Sequence, residues 1–425
     1  MRNFFKNIVL FLLKRFAKRR VKKFKGKVIG VTGSVGKTST KEAIYTVLNT
    51  KFKVLKSEGS MNTEFGLPLT ILELKSGYGN AFKWSYLLIK GFFMSFKKMY
   101  AEVLVVEMGV DKPKDMDFLL SIVKPDIAVM GPIAHVHLAE GQFKNLDEIF
   151  EEKSKIVKTL GDNGIAVLFA DDDRTMELKK GRPKSKTFTY GTVPDADYKA
   201  TGVEESVEGV KFNLNMDNRR VEILLPILGK HHVNVILPAI VCGLAMGLNI
   251  EEVLEALKRF KLPPGRMNLI EGREEGVMII DSSYNSSPKA CAEALRTLSE
   301  LKVRSGGRKI AVLGSMNELG EETERLHKEI AARIPDCCDI LVTVGEAAET
   351  FAKEVEAAGM KNIFKFKNVF EAIEGFKSEI RKNDLILVKG SQNNVRLEKF
   401  VKEVMKFPEE AEKLLARQGK DWKKI

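Results

Sequence analysis

Short apolar runs alternate along this chain with longer stretches that carry apolar residues at helical spacing. Residues 28–31 (VIGV), 102–107 (EVLVVE), 126–130 (DIAVM) and 164–169 (GIAVLF) read as strands buried on both faces, with a helical stretch notably over 146–160. This alternation predicts a parallel sheet covered by helices on both faces. From 185 to 228 the rhythm shifts to short alternating runs with turn signals (TFTYG, GVKFNLNMDNRRVEILLP), which predicts a small antiparallel sheet. Residues 232–259 return to helical spacing until Leu262-Pro263-Pro264-Gly265-Arg266 interrupts them. Strands at 277–281, 309–313, 340–344 and 385–389 then resume the alternation. The expected architecture is therefore α/β, with a central domain over 28–262 and a second, Rossmann-like domain over 263–425.

The first 27 residues follow another pattern. Phe4, Phe5, Ile8, Val9, Leu12, Leu13 and Phe16 recur at helical spacing, and Arg2, Lys6, Lys14, Arg15, Lys18 and Arg19 take much of the opposite side. The apolar run 8–13 is far shorter than the roughly 20 residues of a membrane span. No small-residue cleavage site follows it, so a signal peptide is not expected. A basic amphipathic helix lying on an anionic membrane surface fits, as does a helix packed on its own protein. Residues 78–100 repeat the theme, with Trp84, Tyr86, Phe92, Phe93 and Phe96 among Lys83, Lys90, Lys97 and Lys98 and no acid.

Charge sharpens the contrast. Of a net charge of +13, residues 1–27 contribute eleven Lys or Arg and no Asp or Glu. The remainder is thus near neutral, which argues against a nucleic-acid-binding body. The four cysteines, 242, 291, 337 and 338, lack metal-ligand spacing and suit a reducing cytosol.

The densest chemistry lies at 28–40, VIGVTGSVGKTST. A strand ends in a glycine-rich turn over Gly33, Ser34, Val35 and Gly36, and Lys37, Thr38 and Ser39 open a helix. Such a turn aims backbone N–H groups and a helix N-terminus at phosphate. Lys37 can reach terminal phosphates, and the Thr38 hydroxyl can ligand Mg²⁺. The central domain is therefore expected to be of the P-loop ATPase type. Ligands collect beyond the carboxyl ends of such strands, where Glu107 and His137 also fall.

Further motifs keep a fixed order: SEGSMNTEFGLPLTIL (57–72), VVEMG (105–109), HVHL (135–138), EEKSKI (151–156), GKHHV (229–233), PPGRMN (263–268), DSSYNSSP (281–288), VLGSMNELG (312–320) with His327, and LVKGS (387–391). Over about residues 28–405 the chain resembles the Mur ligase family. The EMG, SYN and ELG elements are most similar to the branch that adds D-alanyl-D-alanine to a UDP-muramoyl tripeptide. The resemblance implies an ATP-dependent, ADP-forming peptide ligase of peptidoglycan precursor synthesis, cytoplasmic or peripheral on the inner membrane face. A carboxylate would attack the γ-phosphate, and an amine would then attack the resulting acyl phosphate. Lys37 and the loop would hold ATP, Thr38 and Glu107 a first Mg²⁺, and His137 a second. Lys153 would be carbamylated, because an ammonium offers only donors whereas Mg²⁺ wants oxygens. Asn62 would lie near substrate. In the second domain Arg266, Asp281, Tyr284 and Asn285 would contact the nucleotide, and Lys389 and Ser391 an anionic group. Closure of one domain on the other would assemble the site.

The chain departs from the family pattern in places. Only 27 residues precede the phosphate-loop strand, where similar ligases of the family carry a whole domain that grips the UDP-sugar; a lipid-linked acceptor becomes an alternative. His232 and Val235 replace asparagines near the adenine, Ser282 replaces one of two acids, and Ser315 replaces Asp. Two other functions fit the same residues: a poly-γ-glutamate or folylpolyglutamate-type ligase, and a catalytically impaired, membrane-docked ATP-binding scaffold.

Overall fold

The computed structural model describes residues 2–59, 61–77, 81–134, 141–183, 186–217, 219–317, 319–391, 395–419 and 422. His137 lies outside the described residues, as do Met1 and 78–80 of the two basic segments. The chain forms two compact units, one of 1–202, 212–223 and 233–260, the other of 203–211, 224–232 and 261–425.

The larger sheet has nine strands: β1 (Lys27–Thr32), β2 (Val54–Lys56), β3 (Val103–Glu107), β4 (Ile127–Met130), β5 (Ile165–Phe169), β6 (Thr187–Gly191), β7 (Tyr198–Ser206), β8 (Gly209–Met216) and β9 (Arg219–Leu225). Their order is β2-β3-β1-β4-β5-β6-β7-β8-β9, and β1 runs parallel to both β3 and β4. The strands between 185 and 228 form no separate sheet, contrary to the expectation from sequence. β6 pairs parallel with β5 and β7 parallel with β6, so the main sheet continues outward. The alternating pattern of these strands records one exposed face, which an extension of a larger sheet has as readily as a separate sheet.

Register places the chemistry. Val31 lies opposite Glu107 and Thr32 opposite Met130, so the chain leaves β1 beside the carboxyl ends of both neighbours. It re-enters helix as α2 (Lys37–Leu48). Next come α3 (Gly66–Ile71) and α4 (Ala81–Met94).

The N-terminal helix α1 (Arg2–Val21) packs on α3 and α4, and apolar residues occupy two of its sides. Val9, Leu13 and Ala17 are buried in one cluster with Leu104 and Val106 of β3. Phe5, Ile8 and Phe11 are exposed. The single apolar face inferred from sequence is thus divided, because the helix has protein on one side only. Arg20, counted among the basic residues, is buried: its guanidinium donates to Ile71 O (2.8 Å), Lys97 O (3.3 Å) and the Glu73 carboxylate. It fastens α1 to the ends of both neighbours.

The second sheet, β10 (Asn268–Glu271), β11 (Met278–Ser282), β12 (Lys309–Gly314), β13 (Ile340–Val344), β14 (Ile363–Phe366) and β15 (Leu385–Lys389), has the order β10-β11-β15-β12-β13-β14. All pairs are parallel except the edge pair β10–β11. Lys389 ends the central strand, opposite Ser282 on one side and Leu313 on the other.

Candidate active site

The glycine turn has the backbone the motif requires. Gly36 caps α2 in the left-handed region (φ 80°), and Gly33 has φ 144°, with a hypothetical Cβ only 3.2 Å from Gly131 backbone. Glycine meets both demands at no steric cost. Ser34 ties the turn to the segment after β4: its N–H donates to Pro132 O (2.8 Å), and its hydroxyl bonds Ala134. Lys37 Nζ folds back to Gly33 O (3.0 Å) and Ser34 O (3.3 Å), across the place a phosphate would take. Val35 is half-buried at the tip, and Ser39 is buried behind it.

Glu107 is the centre of this half of the site. It is 1 % exposed, and its two oxygens accept from Thr38 Oγ1 (2.9 Å) and Asn62 Nδ2 (2.8 Å). A buried carboxylate normally needs a cation. Here both partners are neutral, and among the described residues Glu107 forms no ion pair. Three hard oxygen donors, Glu107, Thr38 and the Asn62 side chain, thus adjoin one another, a set that fits Mg²⁺. Gly109 makes the approach of Asn62 possible. A Cβ there would lie 2.7 Å from Asn62 Nδ2, and Gly109 N donates to Asn62 O (3.0 Å).

Lys153 lies on the helix Leu146–Lys158, buried completely, and its Nζ has no hydrogen-bond partner. Burial, then the nearby Lys37 charge, pushes its pKa well below the ordinary lysine value; Asp111, Glu107 and Glu152 oppose this. Within EEKSKI, Glu152, Lys153, Ser154 and Ile156 are buried, whereas the exposed Glu151 pairs with Lys158 (2.7 Å) and Lys155 pairs with Asp117 (2.6 Å). Lys41, which sequence reasoning missed, is a second buried amine. It donates to Ser57 O and Gly59 O (2.6 Å each), while Ser57 Oγ accepts from Glu107 N (3.4 Å). Its signal was present: Lys41 shares helical register with the buried Ile44 and Leu48 of α2.

The second unit holds its own polar set. Lys389 Nζ donates to Asn285 O (2.9 Å) and Ser282 Oγ (3.2 Å), and burial lowers its pKa to about 8. Asp281 is fully buried; Ser283 N–H binds one oxygen (3.1 Å), the other has no partner, and burial raises its pKa to about 6. Ser391 Oγ donates to Ser286 O (3.0 Å) and accepts from Asn317 N (2.8 Å), and Ser391 N donates to Ser315 O (3.1 Å). The Tyr284 ring faces two guanidiniums, Arg266 at 4.5 Å and Arg417 at 4.9 Å. His327 accepts from Met316 N (3.0 Å) and so is neutral, with its proton on the nitrogen facing Thr323 O. His232 directs Nδ1 to Leu228 O and stacks on His231.

A glycine turn at a helix N-terminus, with an acid at the end of the adjacent strand, defines a phosphate-loop nucleotide-binding protein. Comparison with known proteins takes this further. Residues 31–243 match the Mur ligase middle domain and residues 265–392 the Mur ligase, glutamate ligase domain. The chain is 32 % identical over 405 residues to the UDP-N-acetylmuramoyl-tripeptide–D-alanyl-D-alanine ligase of Bacillus subtilis, covering 94 % of this chain and 80 % of that protein. It is 27 % identical to the Escherichia coli enzyme of the same name, covering 86 % and 74 %. Among solved structures, the MurF ligase of Thermotoga maritima in complex with ADP superposes with a TM-score of 0.76 at 29 % identity, covering 95 % and 84 %. The chain belongs to the Mur ligase family.

Proposed function

We propose that this chain is an ATP-dependent, ADP-forming peptide ligase that adds D-alanyl-D-alanine to a UDP-muramoyl-tripeptide precursor of peptidoglycan. The observation that carries the chemistry is the pair formed by Glu107, a buried carboxylate without an ion-pair partner among the described residues, and Lys153, a buried amine without a hydrogen bond. Neither is a stable resting arrangement by itself, and each suits a site that gathers further charge. The relatives named for this reaction, and one solved with ADP, support the reading.

In the reaction, a carboxylate oxygen of the acceptor forms a bond to the γ-phosphorus and ADP leaves. The amine then attacks the acyl carbon, phosphate departs and the amine loses a proton. Lys37 and the loop amides from Gly33 to Thr38 hold the triphosphate in line, and Lys37 leaves its two loop carbonyls to do so. Glu107, Thr38 and Asn62 would hold Mg²⁺, which neutralises the phosphate charge that develops during transfer. His137, by the resemblance, would serve a second Mg²⁺. Lys153, whose pKa burial pushes well below the ordinary lysine value, would be a nucleophile for CO₂; its nitrogen would form the N–C bond with release of one proton, and the carbamate would supply the oxygens an amine lacks. In the second unit Arg266, Tyr284, Asp281 and Asn285 are proposed as nucleotide contacts, and Lys389 with Ser391 as ligands for an anionic group. Purified protein with ATP, Mg²⁺ and UDP-muramoyl tripeptide should release ADP on addition of D-alanyl-D-alanine and not of L-glutamate; stimulation by L-glutamate alone would replace this reading with a glutamate ligase.

The proposed place of work is the surface of an anionic membrane. Phe82, Tyr86, Ile89 and Phe93 form one stripe of α4, all exposed, with Phe82 at 90 %. Phe5, Ile8 and Phe11 are exposed on α1, beside a segment of eleven basic residues and no acid. Each Lys or Arg near anionic lipid contributes about 1 kcal/mol, and each Phe or Ile moved fully from water about 1.5–3 kcal/mol. No described helix is long and apolar enough to cross a membrane.

A further inference from the structure

The exposed aromatic face and the metal-proximal asparagine are two ends of one continuous structure. On the outside, α4 shows Phe82, Tyr86, Ile89 and Phe93, spaced four, three and four residues apart and so on one side of the helix. Phe92 continues this surface to α1, packing on Phe16 (ring centroids 5.8 Å) and Phe96 (5.1 Å), and Arg19 covers Phe96 at 3.8 Å. A cation seated on an exposed aromatic is chemistry suited to lipid headgroups.

On the inside, the same two helices grip the segment Met61–Phe65. Lys6 of α1 pairs with Glu64 (3.1 Å) and lies over the Phe65 ring (5.6 Å). The Trp84 ring of α4 lies against that ring from its own side, tilted by 59° (centroids 5.5 Å). Two residues before Glu64 stands Asn62, which donates to Glu107 and accepts from Gly109 N. Only three residues, Asn62, Thr63 and Glu64, therefore separate the Glu107 carboxylate from Phe65, which α1 and α4 hold between them. Anything that fixes α1 against α4 also fixes the position of Asn62.

Resting on the ligase reading above, we propose that the α1–α4 face docks on an anionic lipid bilayer, and that docking clamps Met61–Phe65 so that Asn62 holds Glu107 in the geometry for catalysis. The ligase is thereby stimulated at the membrane surface. The lipid contributes headgroup charge to the exposed Arg15, Lys18 and Arg19 and apolar depth to the α4 stripe. Lys6 and Glu64 transmit the restraint.

The test uses the full chain with vesicles of phosphatidylglycerol and phosphatidylcholine at 1:1, against phosphatidylcholine alone. Three measurements are made: co-sedimentation, hydrogen exchange of the peptide spanning 61–66, and acceptor-dependent ADP release. Expected with the anionic vesicles are co-sedimentation, exchange of the 61–66 amides slowed about tenfold, and ADP release raised severalfold. Phe82→Gln with Phe93→Gln, both solvent-facing, should abolish all three effects and leave ADP release in the absence of vesicles unchanged. Glu64→Gln should still co-sediment yet lose the slowed exchange and the stimulation. Binding with unchanged exchange at 61–66 overturns the coupling, and absence of binding overturns the docking face. If ADP release is absent under every condition, the ligase reading fails, and the exchange measurement still decides the coupling.

Discussion

Replacing Lys153 by Met tests whether the buried amine is kept for chemistry or for stability. The two side chains have nearly the same length, so no large cavity opens. The lysine nitrogen is fully buried and makes no hydrogen bond, and an unsatisfied buried polar group costs about 1–3 kcal/mol. Met removes that penalty and takes up the apolar contacts of the stem. Lys153→Met should therefore stabilise the N-terminal unit by about 1–3 kcal/mol, or roughly 2–8 °C for a unit of this size. The gain depends on pH with a definite sign. Burial lowers the amine pKa from 10.5, so between the folded pKa and pH 10.5 the unfolded chain binds a proton that the folded chain does not. The lysine's penalty is complete below its folded pKa and fades as pH rises towards 10.5, so the stability gap between variant and wild type should narrow from pH 7 to pH 10. Differential scanning calorimetry in CO₂-depleted buffer reads this directly. In parallel, ADP release should fall at least about 10²-fold, the scale for removing a preorganised charged group, and added bicarbonate should stimulate wild type and not the variant. A variant less stable than wild type at pH 7, or one retaining a tenth of the activity, would refute the argument.

Thr38→Val should lower ADP release at least about 10²-fold and reduce stability by only about 1 kcal/mol, since Glu107 keeps its bond from Asn62; calorimetry and a coupled ADP assay separate the two. Gly109→Ala places a methyl 2.7 Å from Asn62 Nδ2, so nucleotide turnover should fall far more than melting temperature, and Gly109→Ala combined with Asn62→Ala should be no worse than Asn62→Ala alone. Asp281→Asn should be more stable than wild type by up to about 3 kcal/mol at pH 7.5. A carboxyl raised from 3.8 to about 6 is penalised in full above pH 6, and the difference should vanish below pH 3.8 in denaturant titrations. Arg20→Met leaves Glu73 and two carbonyls without their donor and should cost about 2–4 kcal/mol, with α1 amides exchanging faster.

Most of the strand framework was legible because its strands are apolar runs between turn signals, and β1, β3 and β5 are nearly continuous runs of this kind. The phosphate loop and Glu107 were legible for a related reason: glycine spacing and an acid at a strand end are set locally. What sequence left open depends on neighbours. Whether β6–β9 close into their own sheet or extend the large one is decided at the β5–β6 edge, where Thr187–Gly191 has no pattern that names its partner. The α1 pattern could not reveal that Val9 and Leu13 turn inward while Ile8 and Phe11 turn out. Gly109 was visible only as part of a motif, and its purpose, the close approach of Asn62, is a tertiary fact.

Three buried lysines show how hydrogen bonding divides structure from chemistry. Lys41 gives its protons to two carbonyls at 2.6 Å and lies beside the Glu42 carboxylate, so it acts as a bolt between α2 and the segment after β2. Lys389 has one carbonyl and one hydroxyl, and Ser282 stands where the family pattern has an acid. Among the described residues no carboxylate offsets the burial at hydrogen-bond distance, and its pKa falls to about 8. An amine so placed suits the proposed binding of an anion. Lys153 Nζ has no hydrogen-bond partner, and burial pushes its pKa well below the ordinary lysine value. A buried amine becomes reactive to the degree that its neighbours decline its protons, since nucleophilicity resides in the neutral nitrogen. By this measure Lys153 is the residue whose environment makes least sense as architecture, and its unpartnered nitrogen supports the proposal that the first unit is completed by CO₂, metal and phosphate.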